Sequence, residues 1–361
     1  MPRSRAAARD IQRAAQVLRE GGLVAFPTET VYGLGADAEN VAAVRRIFAV
    51  KGRPADHPLI VHAVEPWKWT RKPSADALKL AKRFWPGPLT LILKKNSRVP
   101  GVVTGGQDTV GVRVPSHPAA LALLKAFGGA VAAPSANRFG KVSPTTAAHV
   151  RQDLGADVDF VLDGGACEVG VESTIVDVSG AEPAILRHGG VTREQVEKAL
   201  GRPVSCPETG GPRASGRLKS HYAPKARVVV APAGELKTRA AAHRAAGLKV
   251  ELIRMPRAKD LYARLRRADA RGVDVVLVAA PPEKGLGAAV ADRLRKAAAA
   301  RAYSRSPIDF KLIDRPGRRA LSWRRCIRRS SRAATAGCAP TSRPSSAPTA
   351  SWSPPCPADG T

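Results

Sequence analysis

A run of small polar side chains follows directly on an apolar segment near the N-terminus. Residues 23–26 are all apolar and predict a short buried strand, which Pro27 ends before Thr28, Glu29 and Thr30. In open α/β sheets, ligands bind beyond the carboxyl ends of the strands. The segment therefore predicts one wall of a binding site, although an ordinary crossover from strand to loop would have the same pattern.

Cations and further hydrogen-bonding groups stand near the ends of other predicted strands. The cations are Lys51, Arg53, Arg113 and Arg187, and the hydrogen-bonding side chains are Ser135 and Asn137. Gly52 and Pro54 fix the loop that carries the first two cations, and such a loop suits a polyphosphate. Any one of these residues could simply be solvated, so the prediction of an anion site depends on the whole set.

The sequence motifs of other nucleotide and metal enzymes are missing. The nearest match to a P-loop spans 211–220, where Arg217 and Leu218 replace the required lysine and hydroxyl residue. The chain has no GxGxxG after a predicted strand, no HExxH, no GxSxG and no cysteine–histidine zinc pattern. His57 and His62 are five residues apart near prolines, so they do not share a helix face. We therefore predict no metal-ligating residues.

Hydrophobic periodicity predicts alternating helices and strands over residues 10–200. The predicted strands are 23–26, 59–64, 89–94, 110–113, 130–133, 160–163, 173–177 and 184–186, and the predicted helices are 10–20, 41–50, 75–85, 119–127, 146–154 and 193–200. Strands 110–113 and 130–133 flank one helix as in a βαβ unit. The strands after Gly164 follow without helices, which predicts antiparallel pairing. We therefore predict an α/β fold with an open sheet of mixed parallel and antiparallel strands, flanked by helices.

The chain is predicted to divide into four parts. Residues 10–202 form the larger α/β domain, and 203–224, rich in proline, glycine and charges, form a linker. Residues 225–301 form a small Rossmann-like α/β domain, with strands near 226–230, 249–253 and 273–279 and helices near 234–246, 260–270 and 287–300. Residues 302–361 lose apolar periodicity and predict a disordered basic tail, which we interpret as a non-native extension rather than an RNA-binding arm.

Composition limits the class of protein and its location. The 361 residues carry a formal net charge of +29, which attracts polyanions such as ATP or RNA and also fits a compositional bias towards arginine. Five cysteines without a CxxC pair favour a reducing compartment. No apolar run approaches the roughly 20 residues of a membrane span. We therefore expect a soluble, cytoplasmic protein with no membrane partner.

Eight segments together resemble one enzyme family. They are residues 26–35 (FPTETVYGLG), 51–54 (KGRP), 58–62 (PLIVH), 85–90 (WPGPLT), 112–115 (VRVP), 133–137 (APSAN), 170–174 (GVEST) and 186–187 (LR). In this order they resemble the threonylcarbamoyl-AMP synthases with a YrdC-like catalytic domain. Residues 220–224 (SHYAP) and the second domain resemble the two-domain form of that family, and the resemblance stops near Arg301.

The resemblance implies a twisted YrdC-like sheet and a specific reaction. L-threonine, bicarbonate and ATP, with Mg²⁺ on the phosphates, would form L-threonylcarbamoyladenylate and release pyrophosphate. A separate threonylcarbamoyl transferase complex would then modify an adenosine beside the anticodon of tRNA to N6-threonylcarbamoyladenosine. Positioning and positive charge would carry this reaction, which agrees with the absence of a nucleophilic triad.

The resemblance also implies roles for individual residues. Threonine would be bound by Thr30, His62, Arg113, Ala133 and Ser173, and ATP by Lys51, Arg53, His57, Thr109, Ser135, Asn137, Ser143, Arg187 and Tyr222, with Lys51, Arg53 and Arg113 catalytic. The planar fork of Arg113 suits a carboxylate, and Tyr222 would close the linker over the site as a lid. His57 departs from the asparagine common in the family, and it would add a pH dependence near neutrality.

Two other functions remain open from the sequence. A protein that only binds RNA would explain the net charge of +21 on residues 1–301, but it would not need Arg113 or Ser173. A carbamoyl-AMP-forming domain of the hydrogenase-maturation type would carry zinc-finger cysteines and an acylphosphatase unit, and the sequence shows neither.

Overall fold

Two β-sheets with flanking helices account for the residues that the computed structural model describes, 4–218 and 221–299. Both sheets belong to the same compact unit. The predicted tail, 302–361, lies outside the described residues. Within the described ranges, every helix is too short or too polar to cross a membrane.

The first 200 residues alternate helices and strands. The helices are α1 Ser4–Arg19, α2 Val41–Lys51, α3 Ala75–Phe84, α4 Gly101–Thr104, α5 Pro118–Phe127, α6 Ala147–Leu154 and α7 Arg193–Leu200. The strands are β1 Val24–Phe26, β2 Gly33–Asp37, β3 Ile60–His62, β4 Leu89–Lys94, β5 Thr109–Arg113, β6 Val131–Ala133, β7 Phe160–Val161, β8 Thr174–Asp177 and β9 Ala184–Arg187.

Strands β1 to β9 form one sheet in the order β7-β1-β2-β6-β3-β5-β4-β8-β9. The pairs β1–β7, β3–β5 and β4–β8 are parallel, and the other neighbours are antiparallel. The predicted mixed sheet is therefore confirmed, as is the antiparallel pairing of β8 with β9, the strands that follow Gly164.

The strand β2 is absent from the sequence prediction, because its glycines are more typical of a turn. In the sheet, one of these glycines is needed for close packing. A Cβ atom on Gly35 would lie 2.5 Å from Val131 Cγ1 and 2.9 Å from Phe26 Cε1. The backbone of β2 can thus lie between β1 and β6 only because the side chain is missing.

The predicted βαβ unit around α5 is wrong. Strands β5 and β6 both pair with β3, but β5 runs parallel to it and β6 antiparallel. The chain therefore re-enters the sheet at the edge where β5 left it. Helix α5 packs on α1, where its Leu123 and Leu124 join Ala14 and Leu18 in one apolar cluster. Held there, the helix returns the chain to the end of the sheet at which β5 finished, instead of crossing to the other end.

Alternation along the central strands divides their side chains between two environments. Val61 of β3 and Val112 of β5 enter the main apolar core on one face of the sheet. Their neighbours His62, Arg113 and, on β4, Thr90 point to the other face, since successive side chains of a strand point in opposite directions. Polar groups from three strands are in this way collected on one surface.

Two different elements cover this second face. Helices α1 and α5 cover it over β1 and β6. Over β4, β8 and β9 it is covered by the linker, where Ala214 packs against Ile92, Ile175 and Leu186.

The C-terminal part forms a smaller α/β unit. Its elements are β10 Arg227–Ala231, α8 Leu236–Ala245, β11 Val250–Ile253, α9 Ala258–Ala270, β12 Val275–Ala279 and α10 Leu286–Ala299. The three strands are parallel in the order β10-β12-β11, so the predicted α/β class of this part is confirmed. The limits of the linker, 203 and 224, stay a prediction.

Helix α9 joins the two α/β parts. Its residues Leu261 and Tyr262 share one apolar cluster with Val31, Val142 and Val171 of the larger part. Burying apolar surface in a shared cluster stabilises the contact between the parts. The sequence predicts both parts but not this contact.

The backbones of the two parts approach each other closely at Gly170, which has φ 76°. A Cβ atom there would lie 2.5 Å from the carbonyl oxygen of Ala258 and 2.6 Å from that of Lys259. We expect Gly170→Ala to destabilise the protein by about 3 kcal/mol, because strain from the positive φ adds to overpacking. Gly165→Ala is the matched control, with φ 86° but open space, and it should cost about 1 kcal/mol. Equal shifts of the two denaturation midpoints would contradict this reading of the contact.

Candidate active site

A pocket lies between the second face of the sheet, the linker and the loops that follow β1 and β6. It contains about 630 Å³ of empty space, part of which is open solvent. Eleven of the fourteen predicted site residues line it, namely Thr30, Lys51, Arg53, His62, Arg113, Ala133, Ser135, Asn137, Ser173, Arg187 and Tyr222. Residues scattered over most of the described chain are thus brought together.

The other three predicted residues lie outside this lining. Thr109 lines a neighbouring pocket on the same sheet face. Ser143 is fully buried, and its hydroxyl donates to Glu172 at 2.6 Å. His57 packs edge-on against Phe139, with the ring centroids 5.4 Å apart.

The sequence prediction omits several residues of the pocket. Glu172 and His221 lie inside the quoted GVEST and SHYAP segments, so their motifs were a usable signal. Phe139 and Ser215 also line the pocket, and they carry no such signal. Phe139 follows the APSAN segment and Ser215 lies in the linker. Only the tertiary fold brings these two residues to the pocket.

Arg113 is buried and largely engaged by the protein itself. Its Nη2 donates to Glu29 Oε1 at 2.6 Å and to Thr30 Oγ1 at 3.0 Å, and its Nε donates to the carbonyl of Gly87 at 3.2 Å. The two remaining N–H groups are on Nη1, which forms no hydrogen bond to the described residues. A carboxylate in the pocket would therefore meet one nitrogen of Arg113 rather than the two-pronged fork that the sequence suggests.

His62 adds no positive charge to the pocket at neutral pH. Burial, together with the nearby Arg113, lowers the pKa of His62 to about 3. Its Nδ1 lies 3.2 Å from the carbonyl oxygen of Ile60, and its ring meets Phe26 edge-on at 5.8 Å. His62 therefore acts here as a neutral hydrogen-bonding and packing group.

Lys51 holds the loop that follows β6. Its Nζ donates to the carbonyl of Ser135 at 2.5 Å and also to the carbonyl of Asn137. Burial and the neighbouring Arg53 lower the pKa of Lys51 well below its usual value. Lys51 thus fixes the shape of the loop that carries Ser135 and Asn137.

Arg53 supplies a buried positive charge beside Lys51. Burial lowers the pKa of Arg53 to about 10, so its side chain stays cationic at neutral pH. Its Nη2 donates to the carbonyl of Pro58 at 2.9 Å, and its guanidinium lies over the ring of Phe139 at 5.7 Å. These contacts hold the charge against the pocket.

Arg187 joins the sheet to the linker. It donates from Nε to the carbonyl of Ser173 at 3.1 Å and from Nη2 to the Ser173 hydroxyl at 3.0 Å. Its Nη1 donates to the carbonyl of Ser215 in the linker at 3.0 Å. The Ser173 hydroxyl also shares a hydrogen bond with Thr90 Oγ1 at 2.8 Å. A change at any of these groups would therefore disturb the others.

Asn137 has one hydrogen-bonding atom that the protein leaves unused. Its Nδ2 donates to the carbonyls of Arg138 and Lys141 at 2.7 and 2.9 Å. Its Oδ1 is buried and has no hydrogen-bond partner among the described residues. Because both amide hydrogens are used, this side chain can offer only an acceptor to a bound molecule or water.

Glu172 connects the pocket to the C-terminal part. It accepts hydrogen bonds from Ser143, from Tyr262 Oη at 2.9 Å and from Arg293 Nε at 2.9 Å. Burial opposes its ionisation, but Arg293 and Arg187 outweigh burial and lower the pKa of Glu172 to about 2. A buried carboxylate of the larger part is thus neutralised by an arginine of the smaller one.

Tyr222 of the linker is held against the pocket by the C-terminal part. It is the one non-glycine residue with positive φ, 61°, in the described part of the chain. Its ring stacks on Tyr262 at 5.9 Å and lies under the Arg293 guanidinium at 5.1 Å. Burial raises the pKa of Tyr222 to about 12, so its hydroxyl stays protonated as a hydrogen-bond donor.

Comparisons with known proteins agree on one family. A family model described as Telomere recombination matches residues 16–189, and one described as Threonylcarbamoyl-AMP synthase, C-terminal domain, matches residues 191–299. The threonylcarbamoyl-AMP synthase of Pyrococcus abyssi is 45% identical over 317 residues, which cover 80% of this chain and 93% of the relative. That of Bacillus subtilis is 40% identical over 326 residues, covering 81% and 93%.

A solved structure is similar over the same range. The crystal structure of P. abyssi Sua5 complexed with L-threonine superposes with a TM-score of 0.77 and 43% sequence identity. The match covers 81% of this chain and 95% of that chain. Both α/β parts and the connection between them therefore fall within the similarity.

The depressed pKa of Glu172 predicts a pH dependence of stability. Because the folded pKa lies below the unfolded one, the ionised carboxylate stabilises the fold above about pH 5, by about 3 kcal/mol, and this is lost as the pH falls towards 2. Glu172→Gln should therefore lower the free energy of unfolding by that order at pH 7 and by much less near pH 3. Denaturant titrations at both pH values measure the difference, with Glu65→Gln in a surface pair as the control. A difference that does not change with pH would refute the assignment.

Proposed function

The chain belongs to the threonylcarbamoyl-AMP synthases, a family of enzymes, and on that premise we propose that it joins L-threonine, bicarbonate and ATP. The product would be L-threonylcarbamoyladenylate, with pyrophosphate released. The observation that carries the proposal is one pocket whose lining includes Arg113 and Thr30 together with Arg53 and Arg187. Such a pocket suits a small carboxylate beside a polyphosphate.

The amino acid would bind at the Arg113 side of the pocket. Nη1 of Arg113 is available for the α-carboxylate. The Thr30 hydroxyl accepts a hydrogen bond from Arg113, and the Ser173 hydroxyl accepts one from Arg187. His62 and Ala133 complete this side of the lining. The L-threonine bound in the P. abyssi relative supports the choice of amino acid.

The nucleotide would extend from Arg53 and Arg187 into the neighbouring pocket. The two pockets share Leu59, Ile60 and Ser215 in their linings. The second pocket has the apolar sheet face as its floor and contains Thr109, one of the predicted ATP residues. An apolar floor with a few polar groups suits a purine base, so we assign adenine to it.

In the proposed reaction, the neutral amine of threonine attacks the carbon of bicarbonate, and water leaves to give a carbamate. A carbamate oxygen then attacks the α-phosphorus of ATP, and pyrophosphate leaves. Arg53 and Arg187 would stabilise the charge on the phosphates, and the linker with Tyr222 would exclude water from the carbamate. No side chain needs to act as a nucleophile.

Magnesium would enter as part of the substrate, bound to the ATP phosphates. Among the described residues, no group of three or more His, Cys, Asp or Glu could hold a metal ion. Glu172 in the pocket lining is paired with Arg293, and Glu29 behind the lining is paired with Arg113. The cation would therefore take its ligands mainly from phosphate oxygens and water, which is usual for Mg²⁺.

We extend the proposal to the use of the product. L-threonylcarbamoyladenylate is a mixed anhydride and an activated donor of the threonylcarbamoyl group. A threonylcarbamoyl transferase complex would pass that group to the adenosine beside the anticodon of tRNA, giving N6-threonylcarbamoyladenosine. This role agrees with the cytoplasmic location expected from the sequence.

The proposed reaction can be tested on the purified full chain. With ATP, Mg²⁺, L-threonine and bicarbonate together, we expect pyrophosphate and a nucleotide with the mass of threonylcarbamoyladenylate. Omitting either threonine or bicarbonate should abolish both products, because each supplies part of the carbamate. ATP that stays intact, or is cleaved without regard to threonine, would exclude the proposal and favour a protein that only binds RNA.

The assignment of adenine to the second pocket predicts a selective variant. A Cβ atom on Gly111 would lie 3.3 Å from Thr90 Cγ2 and 3.7 Å from Ile60 Cγ1, so a side chain there enters the floor of this pocket. We expect Gly111→Val to raise the KM for ATP at least tenfold, about 1.4 kcal/mol, and to weaken threonine binding by a smaller factor, because Thr90 also bonds Ser173. Gly180→Val, in open space, should change neither. Equal losses of affinity for both substrates would contradict the assignment.

A further inference from the structure

Glu29 is a buried carboxylate with both oxygens engaged. Its Oε1 accepts from Arg113 Nη2 at 2.6 Å, and its Oε2 accepts from the backbone N–H of Ser116 at 3.1 Å. Glu29 and Arg113 are each 4% exposed. Arg113 belongs to the pocket lining and Glu29 stands behind it. Glu29 can therefore act on a molecule in the pocket only through its hydrogen bond to Arg113.

The contacts of Arg113 determine which of its atoms face the pocket. Glu29 and Thr30 occupy both hydrogens of Nη2, and the Gly87 carbonyl occupies the hydrogen of Nε. The guanidinium is planar and rigid, so three fixed N–H groups determine the direction of the remaining two. Those two, on Nη1, are the ones available to a substrate carboxylate.

We propose that Glu29 is a positioning residue for the amino acid substrate, acting by aiming Nη1 of Arg113 at the α-carboxylate. The inference rests on the proposed function, because it takes the α-carboxylate of an amino acid as the partner of Arg113. Glu29 also offsets the charge of the buried guanidinium before the substrate binds, a burial that would otherwise be costly. Its anchor on Ser116 keeps the carboxylate from moving with the substrate.

The isosteric variant Glu29→Gln separates this role from simple packing. The amide oxygen can still accept from Arg113, but the amide NH₂ then faces the N–H of Ser116, so one of the two fixed contacts is lost. We expect the dissociation constant of L-threonine, measured by calorimetry on the full chain, to rise about tenfold or more. The KM for ATP should stay within about twofold of the wild type.

A double-mutant cycle with Arg113→Gln supplies the decisive readout. If Glu29 acts through Arg113, then Glu29→Gln added to Arg113→Gln should change threonine affinity no further. L-threoninamide, which lacks the carboxylate, is the second probe. The wild type should prefer threonine to the amide, and Glu29→Gln should reduce that preference, an effect that a general loss of packing would not produce.

A control variant and a substrate control make each outcome decisive. Asp76→Asn breaks an ion pair with Arg202 outside the pocket and should leave threonine binding unchanged. Additive losses in the double variant, equal losses for threonine and its amide, or no loss would each overturn the role of Glu29. If the wild type bound no threonine and made no adduct, the proposed function itself would fail instead.

Discussion

Several guanidinium groups are buried around one pocket, and their need for partners is the constraint on which the site depends. Arg113, Arg187 and Arg293 are each 5% exposed or less. A buried cation without a partner costs several kcal/mol, so each must be paired or hydrogen-bonded. The partners are Glu29, in the loop after β1, and the adjacent residues Glu172 and Ser173, just before β8. Arranging these charges therefore determines how the loops lie.

This constraint gives the C-terminal part a physical role in the site. Arg293 on α10 and Tyr262 on α9 both bond to Glu172, which lines the pocket of the larger part. The same two residues also contact the ring of Tyr222. The smaller part thus completes the charge balance of the pocket and fixes the linker residue beside it.

Burial lowers the pKa of several basic groups of the pocket, and the result for their charge at neutral pH differs. Arg53 keeps a pKa of about 10 despite its burial and remains charged at neutral pH. Burial lowers the pKa of His62 to about 3, which leaves its ring uncharged at neutral pH, and it lowers the pKa of Lys51 well below its usual value. An anion in the pocket would raise the pKa of Lys51, since an opposite charge favours the protonated form of an amine.

The sequence by itself determined the α/β class, the mixed sheet and most of the pocket residues, because strand alternation, turn residues and cation placement are local properties. Eleven residues line one pocket; the cations, Ser135 and Asn137 among them follow from their places near predicted strand ends, and the family resemblance implied the others. Tertiary structure alone decided the rest: the glycine-rich strand β2, the antiparallel return after α5, and the pairing of Glu29 with Arg113 and of Glu172 with Arg293. These features depend on close packing and charge pairing between segments that are far apart in the sequence, so no local pattern of residues predicts them.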